Sequence, residues 1–236
     1  MTEAAWLWTG CIGMALGAIA LFVVGKHRTQ DEEGHTILHV VVPVIASLSY
    51  FAQATKQGSV VLPDGREFLF ARYVDWAITT PLLLLGLTMT ALHGAHRRPG
   101  LVAAILGADV LMIATGGFYA ASVATGPKWI WYLVSCGAFL AVYATLFGPL
   151  RGEAAARDVV RQAAYRRELA LLSGLWLGYP VIDLLGPSGS ALLTSTTTTA
   201  AFTVLDLLSK VLYGVVAIAA SRRTAEHDLT RAGTGG

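Results

Sequence analysis

Charged side chains are scarce in this sequence. Asp, Glu, Lys and Arg together make up 14% of its 236 residues, whereas soluble domains average about 25%. Hydrophobic residues account for 55%, and the mean hydropathy is +0.59. The net charge of +2 is too small to indicate a nucleic-acid partner. The composition therefore indicates a protein that is embedded in a lipid bilayer.

Cysteine is also rare. Cys11 and Cys136 both fall within apolar segments, which argues against a disulfide framework, and no sequence pattern resembles a metal site. The first apolar segment is not preceded by basic residues, so we predict a retained helix and not a cleaved signal peptide.

Two charged residues lie inside the apolar stretch 200–220, which is long enough to cross a bilayer because about 20 apolar residues suffice. They are Asp206 and Lys210, and a spacing of four places both on one helix face. A cation in hydrocarbon costs roughly 2.5–3.5 kcal/mol on insertion scales. A buried lysine can form a Schiff base with an aldehyde. The alternative is a structural ion pair inside a helix bundle.

The apolar runs and the breakers between them predict an all-α membrane protein, a seven-transmembrane helix bundle. The predicted spans are 4–24, 34–54, 71–92, 100–121, 127–150, 163–185 and 191–220. Residues 1–236 form a single domain, with 221–236 as a flexible cytoplasmic tail. Pro63, Asp64 and Gly65 lie between short apolar runs and predict a short extracellular β-hairpin between helices 2 and 3. The polar run Tyr165, Arg166, Arg167 and Glu168 near the start of the sixth span suggests that this helix protrudes from the bilayer.

Basic residues are distributed unevenly between the connections. One side carries most of the Lys and Arg, while the other has only Lys56, Arg66 and Lys128. The basic side is expected to be cytoplasmic. We therefore predict a multi-pass protein of the plasma (inner) membrane, with its N-terminus outside and its C-terminus in the cytoplasm.

The third span contains three polar residues that share one helix face, Arg72, Asp75 and Thr79. Charged residues at this depth are expected to point into the bundle. On this evidence Arg72 is either part of a charged site or an interfacial anchor that pairs with Asp75.

The sequence at 72–82 resembles the third helix of the microbial (type 1) rhodopsins, and 206–210 resembles their last helix. Matches extend over nearly the whole chain, and the further residues that carry them are Pro43, Tyr50, Asp109, Met112, Gly116, Trp131, Ser135, Trp176, Tyr179 and Pro180. The resemblance is to bacteriorhodopsin-like proteins, and within them to bacterial light-driven proton pumps with an Asp-Thr-Gly motif.

This resemblance implies all-trans retinal bound covalently to Lys210 as a protonated Schiff base. Asp75 would be proton acceptor and counterion, supported by Thr79, and Asp206 the second counterion, with Arg72 offsetting its charge. The residues expected to contact or tune retinal are Tyr50, Trp76, Thr80, Leu83, Asp109, Met112, Gly116, Trp131, Ser135, Phe139, Trp176, Tyr179 and Pro180. Thr80 and Asp109 match a pair in which the hydroxyl bonds a neutral buried acid.

The sequence departs from the family at the cytoplasmic proton donor. Pumps usually carry a carboxylate at the position of Gly86, which lies eleven residues, or about 16 Å, beyond Asp75 on nearly the same face. His39 is our candidate donor, because it shares the inward face of Tyr50 at a matching depth and histidine titrates near neutrality. The alternative is a histidine bonded within the bundle.

A second departure concerns the extracellular side. Ser188 and Thr198 stand where a related pump has two glutamates. Asp183 replaces an aromatic residue found in many relatives, and it either joins a release path with Arg72 or is a protonated acid bonded to neighbouring hydroxyls.

The resemblance favours a light-driven outward proton pump, not an enzyme, because Asp75 with Thr79 differs from the chloride and sodium pumps of the family. A photosensory rhodopsin with a slow photocycle is the alternative, and a retinal-free transporter is the third. We expect protons as cargo and a homo-oligomer in the membrane. A transducer protein is not expected.

Overall fold

The computed structural model describes residues 1–25, 30–92 and 98–234. Within these residues seven helical spans are long and apolar enough to cross a membrane, as the sequence predicted. The seven spans are Glu3–Val24, Glu32–Ala54, Phe70–Leu92, Pro99–Ala121, Thr125–Ala155, Val159–Leu185 and Ser195–Thr230.

The first four spans belong to single helices, and the last three each combine several helical segments. The helices in chain order are α1 Glu3–Val24, α2 Gln30–Ala54, α3 Phe70–Leu92, α4 Pro99–Ala121, α5 Thr125–Thr145, α6 Arg151–Ala155, α7 Val159–Trp176, α8 Gly178–Leu185, α9 Ser195–Asp206 and α10 Tyr213–Thr234. Two π-helical segments, Leu146–Leu150 and Leu207–Leu212, connect α5 to α6 and α9 to α10.

The predicted hairpin is confirmed between the second and third spans. Strands β1 (Val60–Val61) and β2 (Glu67–Phe68) are antiparallel. Gly65 in the turn has φ +83°, a left-handed conformation that glycine adopts without strain. Arg66 Nε donates to Asp64 Oδ2 at 2.6 Å, and this hydrogen bond lowers the pKa of the Asp64 carboxyl. Arg66 also donates to the backbone carbonyl of Ser122 at 2.9 Å, which attaches the hairpin to the end of α4.

The seventh span begins and ends later than predicted. Ala191 has φ +55°, outside helical geometry, and the helix begins at Ser195 because the Thr194 side chain accepts from the Thr197 amide at 3.2 Å. The helix continues to Thr234, so the predicted flexible tail at 221–236 is corrected to helix over 221–234.

Charged contacts hold this extension against the start of α7. Arg161 pairs with Asp228, and its Nε lies 3.5 Å from Asp158 Oδ2. His227 Nδ1 lies 3.9 Å from Asp158 Oδ1, so folding brings together three residues of metal-ligating type that the sequence separates. Because Arg161 already pairs with both carboxylates, this group is a charge cluster.

The start of the sixth span is amphipathic. It begins at Val159, earlier than the predicted residue 163, because the Asp158 side chain accepts from the amides of Val160 and Arg161. Tyr165 and Glu168 are buried in the bundle at 0% and 1% exposure, while Arg166 and Arg167 between them are exposed. That this helix protrudes from the bilayer stays a prediction.

Close packing between α1 and α2 positions a residue of the central site. A Cβ atom at Gly10 would lie 2.5 Å from the Tyr50 ring, so only glycine lets this ring lie against α1. The main core cluster joins residues of α2 to α7 and α10 and includes Trp76, Trp176 and Tyr213.

Candidate functional site

A buried amine between two carboxylates lies at the centre of the bundle. Lys210 Nζ is 2.5 Å from Asp75 Oδ2 and 3.3 Å from Asp206 Oδ1. The three side chains are 1–2% exposed. Burial of these charges requires their pairing, because an isolated buried charge costs several kcal/mol. The structure thus brings together the three residues that the sequence predicted at the centre of the site.

The backbone around Lys210 is unusual. Lys210 lies within the π-helical segment Leu207–Leu212, which begins directly after Asp206. Single π-helical turns within α-helices are frequent at functional sites. This local geometry was not predicted, since the apolar sequence reads as a continuous α-helix.

The two carboxylates differ in their hydrogen bonds. Asp206 accepts from Tyr50 at 2.7 Å, from Tyr179 at 2.7 Å and from Trp76 Nε1 at 3.3 Å. Asp75 Oδ2 accepts from Lys210, while no hydrogen-bond partner among the described residues contacts Asp75 Oδ1. The Asp206 carboxylate therefore accepts three hydrogen bonds from neutral donors, whereas Asp75 Oδ1 accepts none from the described residues.

Thr79 and Arg72 contact the centre less directly than expected. The Thr79 hydroxyl donates to the backbone carbonyl of Asp75 at 2.8 Å and lies near its carboxylate. The Arg72 guanidinium lies 4.6 Å from the ring centroid of Phe202, a cation–π arrangement. No described carboxylate lies within 4.0 Å of Arg72, so the alternative that it pairs directly with Asp75 is wrong.

A cavity of about 640 Å³ adjoins this centre through Trp76 and Tyr179. Nine predicted residues line it: Trp76, Thr80, Met112, Gly116, Ser135, Phe139, Trp176, Tyr179 and Pro180. Six lining residues were not assigned to it: Tyr73, Ile113, Tyr119, Tyr132, Cys136 and Asp183. Helical spacing could have identified Tyr132 and Cys136, because they continue the face of Ser135 and Phe139.

Four predicted contact residues lie outside the cavity wall. Trp131 is half-buried and packs against Phe118, with ring centroids 5.1 Å apart. Leu83 belongs to the buried core. Tyr50 acts through Asp206. Asp109 lies behind Thr80, whose hydroxyl donates to its Oδ2 at 2.8 Å, and this contact agrees with the predicted pair.

A second, more polar cavity of about 590 Å³ lies at the end of the bundle that carries the β-hairpin. Arg72, Thr198 and Ser188 line it, and Asp183 lines both cavities. Tyr73 Oη donates to Asp183 Oδ1 at 3.3 Å, and Tyr119 donates to the Asp183 backbone carbonyl at 3.2 Å. Asp183 therefore lies between the aromatic cavity and the cavity at the hairpin end.

Toward the end of the bundle opposite the β-hairpin, His39 lies directly against Gly86. A Cβ atom at Gly86 would be 3.1 Å from His39 Nε2, so glycine makes room for the imidazole. His39 is 1% exposed, and no described partner bonds either of its nitrogens. Sequence reasoning missed a nearby buried acid, Glu168, which accepts from Thr90 at 3.1 Å.

The site has the properties required to hold an elongated apolar aldehyde. The cavity wall combines aromatic and apolar side chains with a few polar groups, as is typical of small-molecule pockets, and it adjoins the buried Lys210 amine through Trp76 and Tyr179. The fold and the site define a seven-helix membrane protein with a lysine-centred cofactor site.

Comparisons with known proteins agree with this class. The family model described as "Bacteriorhodopsin-like protein" matches residues 1–224. A bacteriorhodopsin of Haloterrigena sp. (strain arg-4) is 40% identical over 221 residues, which are 91% of this chain and 86% of that protein. Sensory rhodopsin-2 of Natronomonas pharaonis is 35% identical over 228 residues, 96% of this chain and 92% of that protein.

A solved structure shows the same fold. The light-driven proton pump rhodopsin of Coccomyxa subellipsoidea superimposes with a TM-score of 0.84 at 32% identity, covering 92% of this chain and 95% of that one. The chain therefore belongs to the bacteriorhodopsin-like family of microbial rhodopsins, multi-pass membrane proteins that are light-driven transporters and light sensors. Members of this family bind retinal through a lysine Schiff base.

Proposed function

We propose that this protein is a light-driven outward proton pump whose retinal is attached to Lys210. The observation that carries this proposal is the unequal hydrogen bonding of the two carboxylates beside the Lys210 amine. Asp206 accepts three hydrogen bonds from aromatic side chains, whereas one oxygen of Asp75 accepts none from the described residues. Asp75 is therefore the proposed acceptor for a proton that leaves Lys210, because one of its oxygens accepts no hydrogen bond from the described residues.

Retinal in its all-trans form, bound at Lys210, would supply light absorption and an isomerisation that reorients the Lys210 nitrogen. Trp76, Trp176 and Tyr179 line the space for its polyene, and Ser135 and Phe139 line the far end. Asp75 accepts the proton from Lys210 Nζ over the 2.5 Å contact. Asp206 is not the acceptor in this scheme, because its carboxylate already accepts hydrogen bonds from Tyr50, Tyr179 and Trp76.

The polar cavity at the hairpin end supports proton release on the outside. The polar residues Arg72, Ser188 and Thr198 line this space. We assign Asp183 the role of a protonated acid held by Tyr73, which closes the aromatic cavity at this end. This direction of transport follows from the proposed orientation, with the N-terminus outside.

His39 is the proposed group that returns a proton to Lys210. The Gly86 position beside it carries no carboxylate that could act as the proton donor instead. No described residue forms a hydrogen bond with either nitrogen of His39. An imidazole can accept and give protons near neutral pH.

A photosensory function is the second candidate, and a specific observation favours it. The missing carboxylate at Gly86 fits a slow photocycle, and the chain is similar to a sensory rhodopsin over 96% of its length. In that case the same proton transfer from Lys210 to Asp75 drives a conformational signal.

Illumination of an unbuffered suspension of cells that contain the protein and retinal separates these functions. A pump acidifies the medium, and a protonophore abolishes the change. Asp75→Asn is expected to stop acidification, while Asp64→Asn in the exposed hairpin turn leaves it unchanged. A visible absorption band without any pH change would identify a sensor, and no band at all would identify a retinal-free transporter.

A further inference from the structure

Glu168 is a buried acid that the proposed transport path does not use. It lies on α7 at 1% exposure, and no salt bridge to it is present among the described residues. The charged or titratable groups that face it are Tyr165 on its own helix and Tyr213 on α10, with Arg151 near Tyr165. An unpaired carboxylate at such a position costs several kcal/mol.

Thr90 connects this acid to the third span. Its hydroxyl donates to Glu168 Oε2 at 3.1 Å and also lies 3.4 Å from the backbone carbonyl of Gly86. Because Glu168 is buried without an ion-pair partner among the described residues, we expect its carboxyl group to carry a proton.

Thr90 thus joins Glu168 to the position where the usual donor is missing. Gly86 is in contact range of His39, since a Cβ there would be 3.1 Å from His39 Nε2. Tyr213 completes the group, because its ring lies 5.6 Å from that of His39 and its hydroxyl interacts electrostatically with Glu168.

Four buried polar atoms in this group have no hydrogen-bond partner among the described residues: His39 Nδ1, His39 Nε2, Glu168 Oε1 and Tyr213 Oη. Buried polar groups are normally satisfied, and exceptions are concentrated at sites of function. Because these atoms are concentrated between α2, α3, α7 and α10, we infer that this group of residues takes part in proton transfer.

We propose that Glu168 stores the proton that is returned to Lys210, with His39 as the carrier between them. This inference rests on the proposed proton transfer from Lys210 to Asp75. In it, the Glu168 carboxyl group on α7 takes the role of the donor carboxyl group that is absent at Gly86 on α3. Glu168 lies eight residues, about 12 Å, to the cytoplasmic side of Trp176, so it is well placed to supply the inner half of the path.

The proton balance is simple. The Glu168 carboxylic acid becomes a carboxylate as its proton passes to His39, and His39 gives a proton to Lys210 Nζ. Glu168 then regains a proton from the cytoplasm. His35 and Glu32 are buried on the same face of α2 as His39, one and two turns toward the cytoplasmic end respectively, and they mark the side from which this proton enters.

The first test measures protonation without any photocycle. Infrared spectra of the retinal-free protein at neutral pH are expected to contain a protonated carboxyl C=O band that disappears in Glu168→Gln. Glu226→Gln, an exposed acid of α10, is the control and should leave this band in place. A spectrum in which Glu168→Gln removes no such band, because the acid is ionised, would overturn the proposal.

The second test follows the retinal-loaded protein after a flash. In Glu168→Gln, proton transfer to Asp75 should keep its rate, while recovery of the initial absorption slows about ten-fold or more. Glu168→Asp should restore part of the rate, which a purely structural role does not predict. Thr90→Val provides a variant that keeps the acid, and it should shift the C=O band and slow recovery.

The outcomes separate this inference from the pump itself. Unchanged recovery in Glu168→Gln with intact acidification overturns the role of Glu168 and leaves the pump standing. Loss of the Glu168 band during recovery in a protein that acidifies nothing supports Glu168 as the proton store and overturns the pump.

Discussion

At the scale of single residues, the site depends on the unequal surroundings of two aspartates. Asp206, the last residue of α9, is about one helical turn before Lys210 in the same span and accepts hydrogen bonds from Tyr50, Tyr179 and Trp76. Asp75 comes from another helix and is closer to the amine, at 2.5 Å. The closest carboxylate is therefore also the one with least stabilisation of its charge by neutral donors, which suits a group that must gain and lose a proton.

Replacement of Lys210 tests the covalent attachment of the cofactor. Lys210→Ala, mixed with all-trans retinal, is expected to give no visible absorption band, because no other lysine lies beside the aromatic cavity in the described chain. Lys128→Ala, at the start of α5, is the control and should form the pigment normally. A Lys210→Ala variant that keeps a band sensitive to hydroxylamine would contradict the assignment.

Replacement of His39 tests the carrier. His39→Ala is expected to slow recovery of the initial absorption several-fold, because it removes the titratable group beside Gly86. Flash photolysis over roughly pH 5 to pH 9 measures it, the range around the usual histidine pKa. His227→Ala, at the half-exposed charge cluster, is the control. Recovery kinetics identical to those of the unaltered protein at every pH would exclude His39.

At the scale of helices, end caps and π-helical segments decide where side chains point. The Asp158 side chain accepts from the amides of Val160 and Arg161 at 3.0 Å each and begins α7 at Val159. The π-helical segment Leu207–Leu212 widens the turn that carries Lys210. Such local features influence the direction in which each side chain leaves its helix, including the buried Glu168 carboxyl group and the Lys210 amine.

The cap at Asp158 can be tested directly. Asp158→Ala is expected to destabilise the first turn of α7 by about 1 kcal/mol, whereas Asp158→Asn retains most of the cap. Hydrogen exchange of the Val160 and Arg161 amides should be about five-fold faster in the alanine variant. Equal exchange in both variants would show that the cap does not hold this turn.

The same cap predicts a pH dependence. Burial raises the pKa of Asp158, but the Arg161 amide and charge, with further help from Val160 and His227, lower it more, so it lies below its usual value. A depressed pKa in the folded protein contributes stability above the unfolded value of about 3.9. This stability is lost as the pH falls through the folded pKa, so amide exchange in this turn should accelerate there.

At the scale of the whole molecule, the bundle is apolar on the outside and polar along its axis. Large side chains such as Phe22 and Leu133 are 72% and 69% exposed, as expected for surfaces that contact lipid. Buried polar residues lie along the axis of the bundle, from Glu168 and His39 through Lys210 and Asp75 to the polar cavity at the hairpin end. A homo-oligomer and the absence of a transducer stay predictions.

The orientation of this axis fixes the direction of transport, and it can be measured. A tag placed after residue 236 is expected to resist external protease in intact cells, because basic connections are normally retained in the cytoplasm. A matched tag inserted at Gly65, in the exposed hairpin turn, should be digested. Digestion of the C-terminal tag alone would reverse the topology and with it the outward direction of the pump.

The amino-acid sequence was sufficient to predict the class of fold and the residues at the centre of the site. Span number follows from apolar length, and Lys210, Asp206, Asp75 and Arg72 are conspicuous because charge inside a membrane span is costly. The resemblance to the microbial rhodopsins predicted nine of the residues that line the cavity wall.

The sequence could not predict which polar groups of different helices lie in contact; the tertiary structure was needed to identify them. Arg72 lies against Phe202 and not beside a carboxylate, Trp131 packs outside the cavity, and Glu168 turns inward among basic neighbours that suggested a solvated surface. The physical reason is that hydrogen bonds between helices, such as that of Thr90 with Glu168, depend on the rotation and depth of each helix. Those quantities follow from packing and from local π-helical turns, and no pattern along a single helix specifies them.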